Sequence, residues 1–183
     1  MNKFFNPEIK SWSSLVKRPL YSLDSVKDVV DDVFNNVELY GDKSLIDYTN
    51  KFDNVKLTDL KINTDKISNS DKYIDKELKD AINIAFNNIY KFHENQIYES
   101  KKIETTKGVI CWQEKRAIEN VGLYIPGGTA PLFSSVLMLA IPAMIAKCKN
   151  IVLCSPPDKN GELHPAILYC AKLCKVDTVI CVG

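Results

Sequence analysis

Val121-Gly122-Leu123-Tyr124-Ile125, Ile151-Val152-Leu153-Cys154 and Val179-Ile180-Cys181-Val182 are three short apolar runs, and what lies between them decides the fold. Each gap holds a loop and then a stretch of helical length: Pro126 to Pro131 before Phe133 to Lys147, and Ser155 to Gly161 before His164 to Lys175. Strand, loop and helix in repetition make a βαβαβ unit, whose right-handed crossovers give a parallel sheet. The runs at 151 and 179 are apolar at consecutive positions, which predicts strands covered by helices on both faces. Ligands of such sheets sit at the carboxyl ends of the strands, so the loops Tyr124 to Pro131 and Ser155 to Gly161 are the functional candidates.

Working outward, Gly108 to Gln113 and Ala117 to Ile125 read as short strands joined by the charged turn Glu114-Lys115-Arg116. Before Gly108 the only glycine is Gly41, and apolar residues recur at helical steps. Val26, Val29, Val30, Val33, Val37 and Tyr40 predict a helix capped by Ser22 or Asp24 and stopped at Gly41. Asp42 is read as the cap of a second helix carrying Leu45, Ile46, Tyr48 and Thr49 up to Phe52. A short strand at Lys61 to Asn63 precedes a long helix striped with Leu78, Ile82, Ala85, Phe86, Ile89 and Phe92. The expected fold class is therefore α/β: a mainly helical N-terminal region, residues 1–107, followed by an incomplete doubly wound, Rossmann-like βαβαβ unit, residues 108–183.

Composition narrows the function classes. Lys and Arg number 24 against 23 Asp and Glu, so no global field recruits nucleic acid or an anionic membrane. The most apolar stretch, Val136 to Ala146, is too short to span a bilayer and contains Pro142. The first residues, Met1 to Pro7, lack the apolar core of a secretory signal, and a cytoplasmic location is expected. Six cysteines lie in apolar runs without the close pairs of a zinc ribbon or disulfide scaffold, and are expected to be reduced core residues. Cys170 and Cys174 stand one helical turn apart but no His accompanies them. His93, three residues before Gln96, reads as a satisfied structural histidine.

Three of the seven glycines fall between Gly122 and Pro131. Residues without a Cβ let a backbone turn tightly and let a ligand approach its N–H groups near a helix N-terminus, which points to a phosphate-bearing ligand. Gly128 stands where a P-loop needs its lysine, which disfavours nucleoside-triphosphate hydrolysis, and the G-x-G-x-x-G fingerprint is absent. Tyr124 suits stacking on and hydrogen-bonding to a cofactor, and equally suits a core position with its hydroxyl in water. Pro126 and Pro156 fit either apolar walls of a pocket or ordinary strand ends. Spacing alone stops at a nucleotide-like pocket or a structural turn.

The run Val121 to Leu132, followed by Ser135, Leu137-Met138, Pro142-Ala143 and Ser155-Pro156-Pro157, resembles the histidinol dehydrogenase signature. The likeness extends back through Trp112, Arg116 and Ile118, the helix Ala81 to Gln96, and Tyr40-Gly41-Asp42 to Phe52-Asp53. It implies an incomplete Rossmann-like fold in a homodimeric, zinc-dependent enzyme of histidine biosynthesis. That enzyme oxidises L-histidinol through the aldehyde to L-histidine with two NAD in succession. Tyr124 matches the family's tyrosine that contacts NAD. Pro126 and Pro156 match residues near the cofactor. The family's remaining NAD contacts, its Glu-His proton-handling pair and its Gln, His, Asp and His zinc ligands match positions after Gly183. No catalytic residue and no metal ligand is therefore expected in this chain, neither His93 nor His164 matches a catalytic position, and the isolated chain is expected to be inactive. The competing expectation is a non-catalytic nucleotide-binding or interaction module derived from such an enzyme.

Overall fold

A computed structural model describes residues 3–18, 24–97, 99–128 and 130–183, with the backbone alone at 24 and 25. Ser22 and Thr129 lie outside the described residues, as does the side chain of Asp24. The chain divides into two compact units, Met1–Tyr40 and Gly41–Gly183. The first holds helices α1 (Ile9–Leu15) and α2 (Asp24–Tyr40). In α2 the apolar stripe forms as its periodicity predicts, yet Val26, Val29, Val30 and Phe34 remain exposed.

The second unit opens at Gly41, whose φ of 58° starts α3 (Asp42–Asp53). Asp42 is not the cap expected of it: Gly41 occupies that position and Asp42 stands in the first turn, where a carboxylate favours the helix dipole. Helix α4 (Thr64–Ser68), a 3-10 turn (Ser70–Tyr73) and α5 (Lys76–Glu94) follow. Asp75 caps α5 by accepting a hydrogen bond from the Leu78 N–H at 2.7 Å. Ile82, 1% exposed, is the buried centre of the α5 stripe, and Leu78, Ala85, Phe86 and Ile89 pack on the same core. Phe92 departs from the stripe: it is 65% exposed and meets only the edge of the His93 ring among its aromatic contacts.

Strand β1 (Ile103–Thr106) pairs antiparallel with β2 (Val109–Cys111) across a turn in which Gly108 has a φ of 84°. The sequence pattern predicts Gly108 inside a strand that runs to Gln113 and a second strand from Ala117. Gly108 is instead the hinge of the ribbon, its N–H held by Glu104 Oε1 at 2.8 Å, and 112–119 carries no regular structure. The positive φ explains the difference, because it reverses the chain where an extended residue would continue it.

The remainder follows the predicted alternation: β3 (Asn120–Tyr124), α6 (Phe133–Ile145), β4 (Asn150–Ser155), α7 (Pro165–Leu173) and β5 (Thr178–Cys181). The sheet order is β3-β4-β5, all parallel, with Tyr124 opposite Cys154 and Cys154 opposite Ile180. Because strands adjacent in sequence are adjacent in space and both crossovers share one hand, α6 and α7 fall on the same face. Leu123, Ile125, Leu153, Val179 and Cys181 join the core there. Their neighbours Gly122, Tyr124, Val152, Cys154 and Ile180 point to the other face and are exposed or half-buried. The expected two-sided cover is thus one-sided in these residues.

The predicted strand at Lys61 to Asn63 is a single antiparallel bridge, Lys61 to Ile180. It is nonetheless well made. The Ile62 N–H donates to the Val179 carbonyl at 2.9 Å and the Cys181 N–H to the Leu60 carbonyl at 2.7 Å. This strap occupies hydrogen-bonding groups that β5 would otherwise present along its outer edge.

Candidate cofactor-binding site

The site is built where β3 ends. Ile125, fully buried, continues the strand by donating its N–H to the Cys154 carbonyl at 2.8 Å. Alternation with buried Leu123 and Ile125 directs Tyr124 to the open face of the sheet, where it is 53% exposed. Tyr124, Cys154 and Ile180 form one row across the carboxyl half of the sheet. Burial raises the Cys154 thiol above its ordinary pKa, which keeps it protonated at neutral pH and makes it a poor nucleophile.

Beyond Ile125 the chain bends through Pro126, Gly127 and Gly128 into α6. This helix has no side-chain cap and no acidic residue in its first turn. No carboxylate of its own first turn therefore competes for its leading N–H groups. None of the three glycines of this stretch needs a left-handed backbone. Gly127 is required by packing instead: a Cβ there would lie 2.6 Å from Cγ of Pro156 in the neighbouring loop. A Cβ on Gly122 or Gly128 would meet nothing within 4 Å, which leaves space beside the bend. Gly183 completes this end of the sheet. A Cβ on it would fall 2.9 Å from Pro156 and 3.3 Å from Oδ2 of Asp53 at the end of α3.

The structure thus brings Gly127, Pro156, Gly183 and Asp53 to one end of the sheet, with Tyr124 on its open face. Pro126 is exposed and Pro156 half-buried. The closeness of Gly127 to Pro156 and of Asp53 to Gly183 escaped the sequence reading, since a contact across two loops leaves no local signal. His93 is engaged elsewhere, its Nδ1 donating to Gln96 Oε1 at 2.8 Å. His164 caps α7, its Nδ1 accepting from the Ala166 N–H at 3.2 Å. Six free cysteines are scattered: Cys170, Cys174 and Cys181 are buried, Cys148 and Cys154 half-buried, and Cys111 exposed on β2 instead of in the core. Among the described residues no three His, Cys, Asp or Glu side chains gather to hold a metal ion, so these residues do not by themselves fit zinc. None of the described helices is long and apolar enough to cross a membrane.

The family model for histidinol dehydrogenase matches residues 16–183. This chain belongs to the histidinol dehydrogenase family. A curated histidinol dehydrogenase from Bacteroides thetaiotaomicron is 49% identical over 97% of the chain, and one from Campylobacter jejuni is 46% identical over 97%. The crystal structure of histidinol dehydrogenase from Elizabethkingia anophelis superposes with a TM-score of 0.89 at 47% identity, covering 98% of the chain and 42% of that protein. The chain spans 41% of the length of the Bacteroides and Campylobacter relatives, and 83% of a histidinol dehydrogenase from Buchnera aphidicola that is 43% identical to 92% of it. The α/β fold is accordingly that of the matching part of a histidinol dehydrogenase, an oxidoreductase family of histidine biosynthesis.

Proposed function

We propose that this chain supplies part of the nicotinamide-dinucleotide site of an enzyme that oxidises L-histidinol through L-histidinaldehyde to L-histidine. Tyr124 is the cofactor-contacting residue in this reading. The observation that carries it is the placement of Tyr124, half-exposed on the open face where β3 ends, with the chain running on from it through a glycine bend with free space into α6, whose N-cap Leu132 supplies no side-chain hydrogen bond. A phenol there offers a ring face and a hydroxyl to a bound dinucleotide, and the leading α6 amides offer partners for its pyrophosphate. NAD held beside Tyr124 would supply the hydride acceptor of the oxidation, while the described residues of this chain offer no zinc site.

The contribution of these residues is binding and positioning. Gly127 seats on Pro156 and holds the bend against the neighbouring loop, which fixes where Tyr124 meets its ligand. Proton transfer and zinc ligation belong to groups that match no residue of this chain, and the 183-residue chain by itself is expected not to turn over histidinol. A homodimer acting in the cytoplasm, with no nucleic-acid or membrane partner, is the setting proposed for the whole enzyme.

Calorimetric titration with NAD tests the reading. Saturable binding that Tyr124→Ala weakens at least about tenfold supports it. Binding unchanged by Tyr124→Ala sinks the role of that residue. Adding the remaining part of the Bacteroides thetaiotaomicron enzyme in trans should give histidinol-dependent NADH formation. NAD binding without turnover in that mixture would favour a non-catalytic binding module.

A further inference from the structure

A second crevice lies away from the proposed cofactor site, where the carboxyl ends of α5 and α6 meet the irregular segment 112–119. Its volume is about 610 Å³, within the usual range for small-molecule sites of about 300–1,000 Å³. Three cationic side chains and a histidine from three separate stretches line it: His93 on α5, Lys115 and Arg116 on the segment, and Lys147 after α6. Pro142, Ile145 and Ala146 give it an apolar wall. Among the described residues no carboxylate lines it, although Arg116 pairs with Glu114 at 3.2 Å just outside and Lys115 is itself engaged.

In a chain with 24 basic against 23 acidic residues, that imbalance is local and specific. Another crevice, about 570 Å³ between α4 and α7, carries both signs: Asp65 and Glu162 balance Lys66 and Lys72, and Lys66 pairs with Glu162 at 3.0 Å. Helix dipoles account for part of the basic cluster, since His93 and Lys147 stand at helix carboxyl ends where cations are favoured. They do not account for Lys115 and Arg116, which reach in from outside any helix. Arg116 engages Glu114 through one terminal nitrogen at 3.2 Å, and a guanidinium has further N–H donors to offer. The hydrogen bond from His93 Nδ1 to Gln96 fixes the imidazole and leaves Nε2 as its remaining polar atom.

We propose that this crevice binds a small phosphate monoester attached to a flat apolar ring, the phosphate meeting Lys115, Arg116 and Lys147 and the ring lying on Pro142 and Ile145. Charge-assisted contacts to phosphate oxygens are the strong polar interactions available to these side chains, and the apolar wall selects a ring over a bare ion. The site is separate from the proposed cofactor site, because α6 runs from one to the other over about 20 Å.

The chain has two histidines, and His164 at the α7 N-terminus serves as an internal reference. The ring resonances of both are followed by NMR while adenosine monophosphate, and separately inorganic phosphate at matched ionic strength, is added. The expected result is a saturable His93 shift with adenosine monophosphate below about 10 mM, at least about tenfold tighter than with inorganic phosphate, and a still His164. Lys115→Glu with Arg116→Glu, and independently Lys147→Glu, should each weaken it at least about tenfold, with circular dichroism reporting that the variants fold. An unmoved His93, equal movement of both histidines, equal response to bare phosphate, or undiminished binding by folded charge-reversed variants would each overturn the site.

Discussion

Gly127→Ala isolates the contact on which the geometry of the glycine bend depends. The backbone at Gly127 is one that alanine adopts without strain, so the substitution alone would gain about 0.4–1 kcal/mol from a less flexible unfolded chain. Against this stands the new Cβ, 2.6 Å from Pro156 Cγ where ordinary contact begins at 3.4 Å. A proline ring can retreat only by changing its pucker, so the loops must absorb the rest of the overlap, and overpacking of this kind costs about 1–3 kcal/mol. The net expectation is a loss of about 1–2 kcal/mol, which lowers Tm by about 2–8 °C for a chain of this size. Thermal and urea unfolding of four proteins would measure it: the parent, each single variant, and Gly127→Ala with Pro156→Ala. Removing the proline ring removes the obstacle, so in that background Gly127→Ala should no longer destabilise, with a coupling of about 1–3 kcal/mol, the full overpacking cost. A Gly127→Ala protein as stable as the parent, or one equally destabilised in the Pro156→Ala background, would refute the reasoning.

Four further outcomes are expected. Burial pushes the Cys170 and Cys174 thiols up to about 12, Cys170 also feeling Cys174, and burial chiefly raises Cys181 to about 11. In native protein a thiol reagent should therefore modify exposed Cys111 first and these three only on unfolding. Because their folded values lie above the unfolded ones, their contribution to stability is complete below about pH 8.5 and is lost as pH rises toward 12, which Tm measured from pH 8 to 11 would reveal as a decline. Ile82→Ala, which empties the buried centre of the α5 stripe, should cost about 2–5 kcal/mol in urea unfolding, and a loss below 1 kcal/mol would mean that α5 is not anchored there. Ile62→Pro removes the N–H that bonds Val179 and should raise light scattering on heating, since it frees the edge of β5; scattering identical to the parent's would contradict that role.

The parts of the fold that were legible in the sequence are those written locally. Phe133 begins α6 as its apolar run predicts, and α7 begins at Pro165, one residue past the His164 read as its start, where an N1 proline is a local signal. The one-sided cover of the sheet was not legible, since consecutive apolar residues look alike whether the second face meets a helix of this chain or another surface. Strand β2 lies within the stretch from Gly108 to Gln113 that reads as a strand, whereas its partner β1 was not legible because Ile103-Glu104-Thr105-Thr106 is exposed throughout and carries no inward pattern. At the candidate site, Tyr124 could be placed at a strand end from sequence. The reason for Gly127 could not, for it is a proline 29 residues later that only the folded chain brings near.

The strap over β5 bears on how the protein is made. Lys61 leaves the ribosome long before Ile180, by on the order of ten seconds at common synthesis rates, and in that interval Leu60 to Ile62 have no partner strand. Closing so large a loop contributes little until β4 and β5 have already aligned, so this junction belongs to the final stages of assembly. A chaperone that shields the nascent Leu60 to Ile62 segment, or a synonymous change that slows synthesis just before β5, would consequently act on yield while leaving the finished molecule unaltered.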